Sequence, residues 1–242
     1  MDRTWLERAE LLLGADKLDK LANSHVLIVG LGGVGGFATE CIARAGVGKM
    51  TIVDGDTIDE SNRNRQLVAL KSNTGKQKAD ELGARLMDIN PDLNLRVVNQ
   101  YLTDPEIQEL LDSDQFDYVM DCIDTLTPKV YLITNCLSRK LPLVSAMGAG
   151  GRMDPSKIMV ADISKSYNCK LARMLRKRLH KQGIRKGFKV VFSPEDIDTS
   201  RVFEVEGQTN KKSVIGTISY MPPMVGGMVA SVVIRALLGE KV

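Results

Sequence analysis

A short apolar run, His25-Val26-Leu27-Ile28-Val29, leads directly into Gly30-Leu31-Gly32-Gly33-Val34-Gly35-Gly36. The run is short and almost wholly apolar, which predicts a strand buried on both faces. Phe37, Cys41, Ile42 and Ala45 then recur at helical spacing, predicting a helix over 33–45. Glycines between such a strand and helix let backbone N–H groups approach a phosphate closely, and the helix N-terminus adds positive potential. Gly30, Gly32, Gly33 and Gly35 are therefore candidate nucleotide-binding positions, with NAD the default nucleotide and a merely tight turn the alternative.

The pattern then repeats. Strands are expected at 50–54, 93–99, 117–122 and 141–146, and helices at 75–90, from Thr103 as N-cap, and at 128–140. Strands alternating with helices predict an α/β, Rossmann-like, doubly wound and mainly parallel sheet. Past Gly151 the alternation loosens. Strands are expected at 158–162 and 188–192, a basic helix at 166–183 with Leu171, Met174, Leu175 and Leu179 as its apolar stripe, and a polar loop at 204–213. A small-residue helix at 224–238 follows Pro222 and Pro223, for buried packing or a dimer contact. The chain reads as one unit over 1–242: a helical arm over 1–24, a core over 25–150 and an extension over 151–242.

Composition narrows the class. With 242 residues, 43% of them hydrophobic and 26% charged, the chain can bury a core, so disorder is excluded as its dominant state. Four cysteines (Cys41, Cys122, Cys136, Cys169) form no C-x-x-C pair for zinc or redox work. No leader-like start and no run of roughly 20 apolar residues is found, so a reduced, cytoplasmic protein without membrane insertion is expected. The net charge of +3 hides an asymmetry: residues 163–194 carry ten Lys/Arg and no acid, leaving 23 bases against all 30 acids elsewhere. Such a segment suggests RNA, its alternative being a solvated helix face.

The chemistry-bearing residues follow the second strand. Asp54 stands where such folds bind ribose hydroxyls by a carboxylate. Asp59-Glu60-Ser61-Asn62-Arg63-Asn64-Arg65-Gln66 and then Lys78 follow. Two extra cations, Arg65 and Lys78, suit a triphosphate with a departing pyrophosphate better than a dinucleotide already held by helix amides. Asp124, just past the fourth strand in Asp121-Cys122-Ile123-Asp124, stands at the carboxyl edge of the sheet, where a carboxylate can hold Mg²⁺ against phosphate oxygens.

The G-x-G-G-x-G loop, the Asp followed by S-N-x-x-R-Q, the downstream Lys and the C-x-D together resemble the ubiquitin-activating-enzyme-like superfamily of ATP-dependent adenylating enzymes, which includes ThiF and MoeB. The resemblance implies ATP and Mg²⁺, with Asp54 on the ribose, Asn62, Arg65 and Lys78 on the phosphates, and Asp124 on the metal. It also implies a homodimer in which Arg8 reaches the partner's ATP, a solvated helix residue being the alternative. From the Arg8 segment through Asn62–Gln66 to Val144–Pro155, the chain is most similar to the tRNA threonylcarbamoyladenosine dehydratase branch. That similarity implies adenylation of the substrate's carboxylate followed by intramolecular ring closure, with loss of water. The tRNA-binding residues implied on the basic helix are Lys170, Arg173, Arg176, Lys177 and Lys181.

The alternatives are adenylation of the C-terminus of a ubiquitin-like sulfur carrier, a nucleotide-sensing RNA-binding module, and NAD-linked oxidoreduction. A monovalent cation near Gly148–Gly151 and a sulfur-relay partner stay open. Cys41, Cys122 and Cys136 are expected in the core. Cys169 is either a nucleophile activated by Lys170 and Arg173 or a partly buried helix-start residue, the second being favoured. His25 and His180 are read as structural or solvated.

Overall fold

The computed structural model describes residues 4–198, 200, 202–204 and 213–242. Seven strands form one sheet: β1 (His25–Val29), β2 (Lys49–Val53), β3 (Asn94–Val98), β4 (Tyr118–Asp121), β5 (Leu143–Ala146), β6 (Met159–Asp162) and β7 (Lys189–Phe192). Their order is β3-β2-β1-β4-β5-β7-β6. Every pairing is parallel except β6 with β7, which closes one edge antiparallel. The fold is thus the doubly wound one that the alternation predicts. A separate hairpin pairs β8 (Val202–Glu204) with β9 (Ser213–Ile215). The polar loop expected at 204–213 therefore begins and ends in strand, and residues 205–212 lie outside the described residues.

Strand periodicity sorts the core into two layers. Val26 and Ile28 of β1 face a cluster that includes Ala38 and Ile42 of α3 (Gly35–Arg44), Leu82 and Leu86 of α4 (Lys78–Ile89), and Val229 and Val233 of α8 (Met221–Leu237). Leu27 and Val29 face the other way. Their partners include Ile107 and Leu110 of α5 (Asp104–Asp112), Ile133 of α6 (Leu126–Ser138), and Leu175 and Leu179 of α7 (Lys170–His180). The strand is buried at all five positions because both faces are covered. At the N-terminus, α1 (Glu7–Leu13) and α2 (Ala15–Ala22) form the arm.

Several expectations need correction. α7 starts at Lys170 rather than Ser166, because Asn168 adopts a left-handed φ of 46° and Cys169 is extended as the N-cap. The Asn168 amide holds that turn by donating to the Pro194 carbonyl (2.7 Å) and the Asp196 carboxylate (2.7 Å). The buried stripe of α7 is Ala172, Leu175 and Leu179, whereas Met174 is exposed. α8 begins at Met221 and takes both prolines into its first turn, where a missing N–H costs nothing. It is core: a Cβ added at Gly226 would lie 2.6 Å from the Val34 carbonyl oxygen, so α8 rides directly on the start of α3. Cys136 is buried and Cys122 half-buried, but Cys41 is exposed, on the outer side of α3. His25 is a satisfied core residue. Nδ1 lies 2.8 Å from the Gln115 carbonyl, Nε2 lies 2.9 Å from Thr51 Oγ1, and the ring packs on Phe116. His180 is exposed. Among the described residues, no helix is long and apolar enough to cross a membrane.

Candidate active site

β2 lies on one side of β1 and β4 on the other, so the direction of winding reverses between β1 and β4. Ligands of open α/β sheets sit at that reversal, outside the carboxyl ends of the strands. Two turns meet there: the glycine loop after β1 and Cys122-Ile123-Asp124 after β4. Gly30 has φ of +92°, and a Cβ on it would lie 2.8 Å from the carbonyl carbon and oxygen of Cys122. A Cβ on Gly35 would overlap the Gly30 carbonyl oxygen. These two glycines are required by close approach of the two turns and of the helix to the strand.

The segment after β2 lies across this loop. A Cβ on Gly33 would meet the Arg65 carbonyl oxygen and the Pro222 Cβ, each at 3.0 Å, while among the described residues Gly32 has only the Gln66 amide nitrogen near it, at 3.8 Å. The surroundings of Gly32 thus leave the most room for a bound group. Residues 56–58 also pair with 75–78: Ile58 N–H donates to the Lys76 carbonyl (2.8 Å), and Lys78 N–H to the Asp56 carbonyl (3.1 Å). This ladder starts α4 at Lys78 rather than at Gly75 and brings Lys78 beside Asp56.

The structure gives several predicted residues a local task. Asp54 Oδ2 accepts from Leu31 N–H (2.6 Å) and Oδ1 from Asp56 N–H (2.8 Å), so it ties the end of β2 to the glycine loop. Burial raises its pKa above the usual carboxylate range, and the Lys78 charge opposes that rise. The expectation for Asn62 changes most. It is buried, and its Oδ1 accepts from Asp59 N–H (3.2 Å) in a capping arrangement that holds its own turn. Arg65 donates through one terminal nitrogen to the Ser61 carbonyl (2.8 Å) and Asn64 Oδ1 (3.0 Å).

Two participants carry no strong sequence signal. Asp56 accepts from Lys78 Nζ at 2.7 Å and also from the Tyr101 hydroxyl. Tyr101 lies just past β3 with its ring over Gly55, and the hydrogen bond to Asp56 pushes its pKa up to about 12. The D-x-D spacing of Asp54 and Asp56 was the available clue, whereas nothing local marks Tyr101. Lys78 is therefore held ready, almost fully buried, by a carboxylate that phosphate oxygens can replace.

Asp124 is exposed at the carboxyl edge beside the glycine loop. No group of three His, Cys, Asp or Glu converges among the described residues, so no all-protein metal cage is formed there. Mg²⁺ is commonly held by one or two carboxylates together with substrate phosphates, and a carboxylate beside a glycine loop of this kind fits that donor set. Among the described residues two buried side-chain oxygens lack a hydrogen-bond partner, Gln66 Oε1 in the segment after β2 and Gln77 Oε1 in the 75–78 strip that pairs with it. Polar groups so placed suit a polar ligand.

Other predicted residues are not brought together with this cleft within one chain. Leu6 packs on Gly46, at the amino side of β2, so Arg8 on α1 stands toward the edge of the sheet opposite the glycine loop. Lys170, Arg173 and Lys177 on α7 and Lys181 at its C-cap are exposed, but Arg176 is half-buried and bonded to Ser166 Oγ. Arg178, absent from the expected set, joins Lys177, Lys181, Leu126 and Met174 around a cleft of about 300 Å³. Leu126 opens α6, two residues past Asp124, so this basic cleft adjoins the carboxylate turn. In the turn after β5, where a monovalent cation was an open question, the buried Arg152 guanidinium already occupies the carbonyls of Gly148, Gly150 and Ser193.

A family model described as "ThiF family" matches residues 6–242. The chain belongs to the ThiF family. It is 43% identical over 188 residues to the tRNA threonylcarbamoyladenosine dehydratase of Bacillus subtilis, covering 78% of this chain and 74% of that protein. Against the Escherichia coli protein of the same name, identity is 40% over 168 residues, and the match spans 62% of the relative's length. The crystal structure of the E. coli dehydratase in complex with ATP superposes with a TM-score of 0.89 at 32% identity, over 98% of this chain and 95% of that one.

Proposed function

We propose that this chain is an ATP-dependent tRNA threonylcarbamoyladenosine dehydratase. The observation that carries the reading is the meeting of the glycine loop, the Asp54–Asp56–Lys78 cluster, Arg65 and Asp124 at one edge of the sheet, in a ThiF-family chain alike throughout to a dehydratase solved with ATP.

A carboxylate is a poor electrophile until its oxygen becomes a good leaving group. In this reading the carboxylate of the substrate's threonylcarbamoyl group attacks the α-phosphorus of ATP, giving an acyl-adenylate and expelling pyrophosphate. Glycine-loop amides hold the phosphates. Lys78, passed from Asp56 to the phosphates, and Arg65 stabilise the charge that develops on them. Asp124 is the residue that would hold Mg²⁺, which when bound neutralises triphosphate oxygens. Asp54 orients the ribose with the lone pairs its two backbone contacts leave open. A nitrogen within the same substrate side chain then attacks the activated carbonyl and AMP departs. The step is intramolecular and gains from high effective concentration, so no enzyme nucleophile is needed. The cysteines agree with this: Cys169 is 5% exposed, and burial pushes the Cys122 and Cys136 thiols up to about 12.

The tRNA lies, in this reading, on Lys170, Arg173, Lys177 and Lys181, with Arg178 added and Arg176 reduced to a supporting role. A homodimer is the assembled form, with Arg8 serving the partner's site. Leu11 and Leu12 on α1, 82% and 83% exposed, give the arm an apolar face suited to a second copy. Cytoplasmic work on tRNA fits the same picture. The carrier-protein alternative would use the same adenylation step, but the zinc site common among such relatives needs paired C-x-x-C motifs, which the sequence does not contain.

The deciding experiment is pyrophosphate release from ATP by the purified protein with threonylcarbamoylated tRNA, unmodified tRNA or no RNA. Release only with the modified tRNA, together with loss of 18 mass units from the nucleoside, is expected. Release driven instead by a carrier-protein C-terminus overturns the reading.

A further inference from the structure

Among the described residues, the largest fully buried side chain is a lysine. Lys129, in the first turns of α6, has no exposed surface, and neither has its partner Asp121, the last residue of β4. Its Nζ lies 2.8 Å from Asp121 Oδ2 and donates to the Ile123 carbonyl at 2.8 Å. Asp121 uses its remaining capacity locally: Oδ1 accepts from Ile123 N–H (3.1 Å) and Oδ2 from Ser145 Oγ of β5 (2.6 Å). Both polar groups of the Ile123 main chain are thus held by one buried ion pair, one residue before Asp124. From the other side, Gly30 backs the same turn, and Cys122 N–H donates to the Val29 carbonyl (2.8 Å).

Burying two charges is costly, and an apolar pair of similar volume commonly serves stability as well or better. What an apolar pair cannot do is hold the amide and the carbonyl of one residue in fixed directions. We propose that Lys129 is a positioning residue for the reaction: with Asp121 it fixes the Cys122-Ile123 turn so that the Asp124 carboxylate points across the glycine loop toward the phosphates. The inference rests on the reading of Asp124 given above, and its test separates the two.

Lys129→Met, Lys129→Arg, Asp124→Asn and the double variant Lys129→Met/Asp124→Asn are compared by pyrophosphate release. ATP binding is measured calorimetrically with Mg²⁺ and with EDTA. Lys129→Met is expected to lower kcat 10- to 100-fold, as loss of an outer support to a ligand does, and to raise the Mg²⁺ concentration for half-maximal activity. Its ATP affinity in EDTA is expected to stay within twofold, and Lys129→Arg to restore most of kcat. In the Asp124→Asn background, Lys129→Met should add no further loss, since both changes remove the same function. Should Lys129→Met fail to fold, the apolar pair Asp121→Leu/Lys129→Met, which removes both main-chain contacts of Ile123 and leaves no buried lone charge, carries the same expectations. A folded variant with unchanged kcat and Mg²⁺ dependence, or losses that multiply in the double variant, overturns the positioning role. Full activity of Asp124→Asn instead overturns the underlying assignment of Asp124.

Discussion

Lys78 and the lysines of α7 carry the same charge in opposite settings. Lys78 is almost fully buried, begins a helix, and is held 2.7 Å from Asp56, which Tyr101 secures in turn. Lys177 and Lys181 are exposed on a helix whose own segment contributes no acid. The first setting fixes a point charge in place, and on the proposed function little reorganisation is then left for the reaction. The second spreads charge over a surface, which favours any polyanion and is screened by salt. On the proposed function one region serves a transition state and the other adhesion to tRNA, and they should respond differently to substitution.

The harshest way to break the tight region is Gly35→Ala. The new methyl would overlap the Gly30 carbonyl oxygen, and the two nearest atoms, the oxygen and carbon of that carbonyl, are main chain and cannot turn aside. We expect a loss of about 3 kcal/mol or more in urea unfolding, and no measurable ATP binding. The same methyl at Gly183, where nothing lies within 4 Å, tests the contrast, although its φ of +79° still costs about 1 kcal/mol. Next in size is Lys78→Ala. Removal of a preorganised cation should lower kcat on the order of 10²- to 10³-fold in pyrophosphate release, with the melting temperature little changed. Loss confined to ATP affinity would mean that Lys78 binds the ground state as well as the transition state.

How much of this was legible in the sequence differs between the two regions for a physical reason. The glycine loop, the alternation of strand and helix, and the acids and bases at strand ends are local patterns, and each keeps its meaning in the fold. The tasks of Asp54 and Asn62 were less legible. Both bond to backbone groups brought near by the fold, and a carboxylate or amide looks alike in sequence whether it faces ligand or main chain. Lys129 was invisible as a site residue, because a lysine in a helix reads as solvated until the end of β4 is known to lie beneath it. On α7 the periodicity gave the helix but not its rotation: Ala172 is buried in place of Met174, and Arg176 turns inward to Ser166. Small differences in how a helix packs on its neighbours decide such choices, and here the neighbouring helix is α6.

The adhesive region is best tested by salt. Lys177→Gln/Lys181→Gln should raise KM for tRNA several-fold while kcat and KM for ATP stay unchanged. The slope of log affinity against log salt should shrink by about one to two units, close to the number of phosphate contacts removed. A change in kcat would show that the strip also positions the substrate, and would blur the contrast with Lys78.

The smallest effect is a proton within the tightly packed region. His25 is buried at the start of β1, and burial lowers its pKa below the ordinary value of 6.5; its hydrogen bond to Gln115 and the nearby Asp114 and Asp117 oppose that fall, and Lys49 adds to it. A depressed histidine pKa means that the unfolded chain takes up the proton first as pH falls. The stability that neutral His25 contributes is therefore complete above pH 6.5 and is lost as pH falls through the lower folded value. Urea unfolding at pH 7.5 and pH 5.5 should show the wild type losing stability across this window, with a slope of at most about 1.4 kcal/mol per pH unit from this one group. His25→Gln, which can still bond Thr51 or Gln115 but does not titrate, should be less stable at pH 7.5 yet lose less between the two values. An equal loss in both proteins would place the acid sensitivity elsewhere, and would mean that β1 tolerates a charge at its amino end although the turn that follows its carboxyl end has no room for a methyl on Gly35.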